Sequence, residues 1–177
     1  MRTQYLLDEQ VDRVLAALTP SNELVCRVCL QTGLRVSDVL ALKPEQIKRN
    51  VWITEAKTGK AKQIGFDEGL RRAILDQASK EWAFPSPSRP GKHRTRQAVW
   101  ADVKRAARAF RLPQNAGTHS MRKVYAVELM KRYGDLERVR KALNHDRYTT
   151  TMIYAMADKL LREKPKRHPY RVRSTRS

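Results

Sequence analysis

Six residues, met in one order along the chain, have the types needed to break a phosphodiester: Arg35, Lys57, His119 with Arg122, and His145 with Tyr154. A tyrosine offers a nucleophilic oxygen, guanidinium groups neutralise a pentacoordinate phosphate, and a lysine and histidines move protons. Such chemistry needs no metal ion.

Each piece has competitors. The pattern His-x-x-Arg occurs three times, as His93 with Arg96, His119 with Arg122 and His168 with Arg171. The first lies in a Pro/Gly-rich loop and the third in a basic tail. His119 and Arg122 instead open a helical pattern with apolar Met121, Val124, Tyr125 and Leu129. Three residues apart on a helix, their side chains are separated by about 60° and can address one phosphate. Thr118 is the expected N-cap, and a helix start adds partial positive charge at the anion. Arg35 follows Thr32-Gly33-Leu34, and Asp38, three residues on, could hold its guanidinium aimed at two phosphate oxygens. Lys57 stands at the mouth of an expected hairpin, where Lys60 and Lys62 compete for the same role. Tyr148 competes with Tyr154 as nucleophile.

Charge narrows the partner. The 177 residues carry 37 Lys plus Arg against 18 Asp plus Glu, a formal net of +19. Such a chain binds polyanions by releasing their condensed counterions, which favours nucleic acid over an anionic membrane surface. Lys60, Lys62, Lys92, Arg94, Arg96, Lys104 and Arg105 are the expected phosphate contacts, fixing register without reading sequence. The start, MRTQYLLDEQ, lacks a secretory pattern, and no apolar run approaches the ~18 residues of a membrane span. A cytoplasmic location, on the nucleoid when DNA is bound, is the expectation. Cys26 and Cys29 form a C-x-x-C without a second pair, inside a buried-helix pattern, and read as core packing.

The elements that must hold these groups are mainly helical, with one small β-hairpin. Val11, Val14, Leu15 and Leu18 mark a helix over 8–18, broken at Pro20. A second helix ends at Gly33, and Ser37 is the expected cap of a short third. Strands are expected over 51–54 and 63–66 around Lys57-Thr58-Gly59-Lys60, and Asp67 caps a helix to about residue 80. Residues 84–96 read as a loop, with helices following at about 96–110, 118–131, 135–143 and 148–161.

Taken together, TGLRVSDVLAL, KTGK, THSMRKVYA and ALNHDRYTTTMIY resemble the catalytic domain of the tyrosine recombinases, the phage-integrase family, over about residues 3–160. The resemblance implies that family's catalytic-domain fold over 1–160 and a basic tail over 161–177. It implies Tyr154, nine residues after His145, as the nucleophile forming a 3′-phosphotyrosyl bond. Arg35 and Arg122 would stabilise the phosphate, Lys57 would protonate the leaving 5′-oxygen, His119 would act as base, and His145 would be an auxiliary donor. No cofactor or metal is implied; double-stranded DNA is the partner, with a homotetramer assembled on it. Two departures stand out. Asn144 replaces the glycine common before the second histidine, and asparagine tolerates the left-handed backbone needed there. The N-terminal DNA-clamping domain is missing from this chain, which reads either as a minimal enzyme or as a fragment. A type IB topoisomerase-like relaxing enzyme, or a non-catalytic DNA-binding protein on the same fold, would share most of these signals.

Overall fold

The structure is a computed structural model that describes residues 5–112 and 115–144. His145, Tyr148, Tyr154, the helix expected over 148–161 and the tail lie outside the described residues. Seven α-helices and one hairpin make up most of the described part: α1 (Asp8–Ala16), α2 (Pro20–Thr32), α3 (Val36–Leu40), β1 (Val51–Thr54), β2 (Ala61–Ile64), α4 (Glu68–Gln77), α5 (Arg96–Ala109), α6 (Thr118–Tyr133) and α7 (Leu136–Ala142). No helix among the described residues is long and apolar enough to cross a membrane.

Helix α2 is the central element, packed against α6, α3 and α4. It can be central because it is apolar on more than one side: Val25, Cys26, Val28 and Cys29 are all at most 2% exposed. The two cysteines are free, as their packing role requires. Burial pushes both thiols up, Cys29 to about 12, so neither is a ready nucleophile. Around them gather Leu34, Val39, Ile74, Phe84, Val99, Val103, Met121, Val139 and Leu143, all buried. The side chain of Phe84 carries the expected loop into this core. Backbone bonds fasten that loop, with Ala83 N–H donating to the Leu42 carbonyl and Arg94 N–H to that of Phe84.

Local chemistry sets most element ends. Pro20 begins α2 at its first turn, where its missing N–H costs nothing. Asp67 caps α4 by accepting from Leu70 N–H, and Thr95 caps α5 by accepting from Ala98 N–H. Two expected caps are corrected. Thr118 is already inside α6, and Ser120 closes the turn instead, its hydroxyl accepting from Gly117 N–H. Ser37 lies within α3, whose cap position is Arg35. The returning strand is also corrected, from 63–66 to Ala61–Ile64, with Val51 opposite Ile64 and Ile53 opposite Lys62.

One polar tie joins elements far apart in sequence. The Asp102 carboxylate, on α5, accepts from Thr19 N–H, the Thr19 hydroxyl and the Asn22 amide at the start of α2. Arg105 completes it, pairing with Asp102 at 2.6 Å and donating to the Ala17 carbonyl. Burial alone would raise the Asp102 pKa, but these donors hold it at about 2, against an ordinary 3.8. The folded state therefore prefers the anion. Its contribution of about 2 kcal/mol is full above pH 3.8 and is lost as pH falls through 2. In urea unfolding, Asp102→Asn should be less stable than the parent by about that amount at pH 7, and the gap should close between pH 4 and 2.

Candidate active site

Three elements converge on one carboxylate. Arg35 sits where α2 has ended and α3 begins, Arg122 lies in the first turns of α6, and Glu55 follows directly after β1. Arg35 Nη1 donates to Glu55 Oε2 at 2.6 Å, and Arg122 Nη1 approaches Glu55 Oε1 at 3.4 Å. The Glu55 side chain is 0% exposed, while those of Arg35 and Arg122 retain 13% and 7%. The carboxylate is thus fully enclosed, while the two arginine side chains keep a small exposure. Burial raises the Glu55 pKa, but the Arg35 bond, both guanidinium charges and the Thr58 hydroxyl outweigh it and hold the group ionised.

Arg122 is anchored further. Its Nη1 donates to the Gly33 carbonyl and its Nη2 to that of Leu143. Burial and the Arg35 charge both pull its pKa down, and Glu55 opposes them. Gly33 makes this approach possible. It closes α2 at φ +65°, and a Cβ there would stand 2.3 Å from the Tyr125 ring. The chain can turn back under α6 because no side chain occupies that space.

His119 is exposed one turn before Arg122. Partial desolvation, then Arg122, Arg35, Arg96 and Lys123, lower its pKa below the ordinary value. The imidazole is neutral at pH 7 and able to accept a proton. Because protonation is disfavoured, any activity that needs His119 as a base should fall away only below about pH 6.5. A single-turnover pH–rate profile checks this, and an acid limb centred above 6.5 would contradict it.

Lys57 is exposed at the hairpin tip, in agreement with the expectation from sequence. Lys62 is corrected. The strand register puts it opposite buried Ile53, on the inner face. Its ammonium donates to the carbonyls of Thr32 and Ala142, each at 2.7 Å, and lies 5.6 Å from the Tyr125 ring centre. Burial, then the nearby Arg122 charge, lowers its pKa to about 8. Those carbonyls end α2 and α7, so Lys62 ties two helix C-termini to the hairpin and does not face a DNA groove. Asn144, just after α7, has φ +49°, the left-handed backbone expected of it.

The other expected phosphate contacts fall into two groups. Lys60, Lys92 and Arg96 are exposed. The other three are enclosed or tied to the fold: the Arg94 Nε is buried, Lys104 donates to Asn115 Oδ1, and Arg105 holds Asp102. His93, from the first His-x-x-Arg, packs edge-on to Trp82 at 4.8 Å and contacts the Arg94 carbonyl. Asp38 does not hold Arg35; its carboxylate accepts from Ala56 N–H at 3.1 Å. Glu55, which does hold it, belongs to no motif that the sequence displays. One signal is present: Glu55 is the only acid between Glu45 and Asp67, in a stretch with five basic residues. A lone carboxylate among cations invites a buried pairing.

A guanidinium pair, an imidazole that disfavours protonation and an exposed ammonium on the hairpin that follows Glu55 are the group types that suit a phosphate diester. The chain belongs to the phage integrase family, whose family model matches residues 4–160. It is 31% identical over 154 residues to the integrase of Escherichia phage P2, a match covering 86% of this chain and 43% of that protein. The chain thus spans less than half of that relative. The fold is that of the catalytic domain of bacteriophage HP1 integrase (TM-score 0.64, 20% identity), with 96% of this chain and 100% of that one covered. XerH, a site-specific recombinase solved bound to palindromic difH substrate in a post-cleavage complex, matches with a TM-score of 0.70 and 20% identity. That match covers 90% of this chain and 51% of XerH.

Proposed function

We propose that the chain carries the catalytic domain of a site-specific recombinase, cleaving and rejoining double-stranded DNA through a 3′-phosphotyrosyl intermediate. The observation that carries the reading is the Glu55-bridged pair of Arg35 and Arg122 beside a neutral His119, with Lys57 on the adjoining hairpin. Tyr154 attacks the scissile phosphorus and the bond to the 5′-oxygen breaks. His119 takes the tyrosine proton, and Lys57 gives one to the departing oxygen. The two guanidiniums stabilise charge on the nonbridging oxygens as it grows, which is where most of the acceleration in such a reaction arises. His145 adds a hydrogen bond to the same phosphate. The covalent link conserves the bond, so a free 5′-hydroxyl from another strand reverses the step without a high-energy cofactor.

The net charge of +19 supplies DNA affinity, with Lys60, Lys92 and Arg96 as phosphate contacts. Strand exchange between two sites calls for four such chains on paired DNA, so a homotetramer is the assembly proposed, working in the cytoplasm on the nucleoid. Covalent trapping tests the chemistry. The chain is incubated with a pool of nicked duplexes randomised around the nick, denatured, and probed for protein–DNA adduct. The parent should form one and Tyr154→Phe should form none while binding DNA within ~2-fold of the parent. An adduct that persists in Tyr154→Phe would move the nucleophile elsewhere, with Tyr148 next to be replaced.

A further inference from the structure

The Glu55 carboxylate does more than neutralise two cations. It belongs to the turn that carries Lys57, and every end of that turn closes on it. The Glu55 carbonyl accepts from Thr58 N–H at 3.3 Å and Gly59 N–H at 2.9 Å, and Glu55 N–H donates to the Lys60 carbonyl at 3.0 Å. The Thr58 hydroxyl donates at 3.1 Å to Oε2, the same oxygen that takes Arg35. Asp38, from α3, fixes Ala56 on the other side of Lys57. The exposed ammonium is therefore flanked by two fixed residues, Ala56 held by Asp38 and Thr58 held by the carboxylate that the arginines share.

We propose that Glu55 and Thr58 are positioning residues that set Lys57 relative to the two arginines, so that proton delivery to the leaving oxygen depends on how the arginines are held. The geometry gives the path. Arg35 and Arg122 share Glu55, one at each carboxylate oxygen. The carboxylate has no solvent exposure, so a shift of either guanidinium is felt at Oε2. Oε2 in turn holds the Thr58 hydroxyl, one residue from Lys57. Only a proton donor placed to within about an ångström works at full rate, which is why such a link matters.

This inference rests on the cleavage reading above, and the test separates the two. A DNA sequence recovered as adduct from the nicked pool is prepared in two forms, one with the ordinary 5′-oxygen and one with bridging sulfur at the leaving position. A thiolate departs without a proton, because a thiol has a pKa of about 8.5 and an alcohol's is far higher. Single-turnover cleavage is then compared for the parent chain, Thr58→Val and Glu55→Gln. With oxygen, Thr58→Val should be slower than the parent by ~10-fold or more, and with sulfur it should return to within ~2-fold. Glu55→Gln should lose ~100-fold with oxygen and recover only partly with sulfur, because its arginines remain misaimed. Thr58→Val retains the carboxylate and nearly the same shape, so it carries the test even if Glu55→Gln fails to fold. A Thr58→Val chain as fast as the parent with oxygen, or equally slowed on both DNAs, overturns the proposal. A parent chain that forms no adduct with any member of the pool overturns the cleavage reading and this inference with it.

Discussion

Arg122→Ala should cleave DNA about a thousand-fold more slowly than the parent and unfold about 3 kcal/mol more easily. The rate loss follows from losing the guanidinium charge, which in the proposed reaction acts most as the phosphorus becomes pentacoordinate. The stability loss follows from the bonds Arg122 makes inside the fold. Arg122 satisfies the carbonyls of Gly33 and Leu143 and half of the Glu55 carboxylate, all in a place water cannot enter. Removing it leaves two carbonyls without that donor and a buried anion with only the Arg35 guanidinium and the Thr58 hydroxyl, both on Oε2. Arg122→Lys separates the contributions. A lysine retains the charge but not the planar fork, so it should restore part of the stability and little of the rate. Adduct formation in a single turnover, read beside urea unfolding of the same samples, checks both. Cleavage by Arg122→Ala within 10-fold of the parent would remove Arg122 from the reaction.

Gly33→Ala should destabilise the fold strongly for a single added methyl. Two penalties add. The φ of +65° costs a side chain about 1 kcal/mol, and a Cβ 2.3 Å from the Tyr125 ring forces α6 or its tyrosine to move, for about 1–3 kcal/mol more. Together these lower the melting temperature by roughly 5–15 °C in a chain of this size. The consequence reaches the site because Tyr125 lies one turn beyond Arg122, whose guanidinium is bound to the Gly33 carbonyl. A shifted α6 carries Arg122 and His119 with it. Thermal unfolding gives the first effect and the adduct rate, measured well below the new midpoint, gives the second. Gly134→Ala is the control: its φ is +62° but no atom lies within 4 Å of an added Cβ, so only the backbone penalty should appear.

How far the sequence could be read follows from the range of each interaction. Helices α1, α2 and α6 announce themselves through their apolar patterns, and Gly33 and Asp67 mark an end and a start, because those preferences act within a few residues. The left-handed backbone of Asn144 follows from residue type and its neighbours alone, and φ +49° agrees. Arg35, Arg122, His119 and Lys57 could be singled out as candidates for a different reason: phosphate chemistry restricts the residue type, and each sits in a short local pattern. Residue type and short-range spacing therefore determined the groups and most of the elements.

The tertiary structure decided which groups meet. Glu55 is 20 residues from Arg35 and 67 from Arg122, and no local preference records such a pairing. Asp38, the nearer acid, is the natural choice by spacing, but α3 turns its carboxylate to the hairpin backbone instead. Lys62 shows the same point through register. With the strand starting at Ala61, Lys62 falls opposite Ile53 on the buried face, whereas a strand starting two residues later would have left it in the exposed tip. Asp102 reaches 80 residues back to Asn22. Long-range partners depend on how the helices pack as bodies, and only the assembled core specifies that.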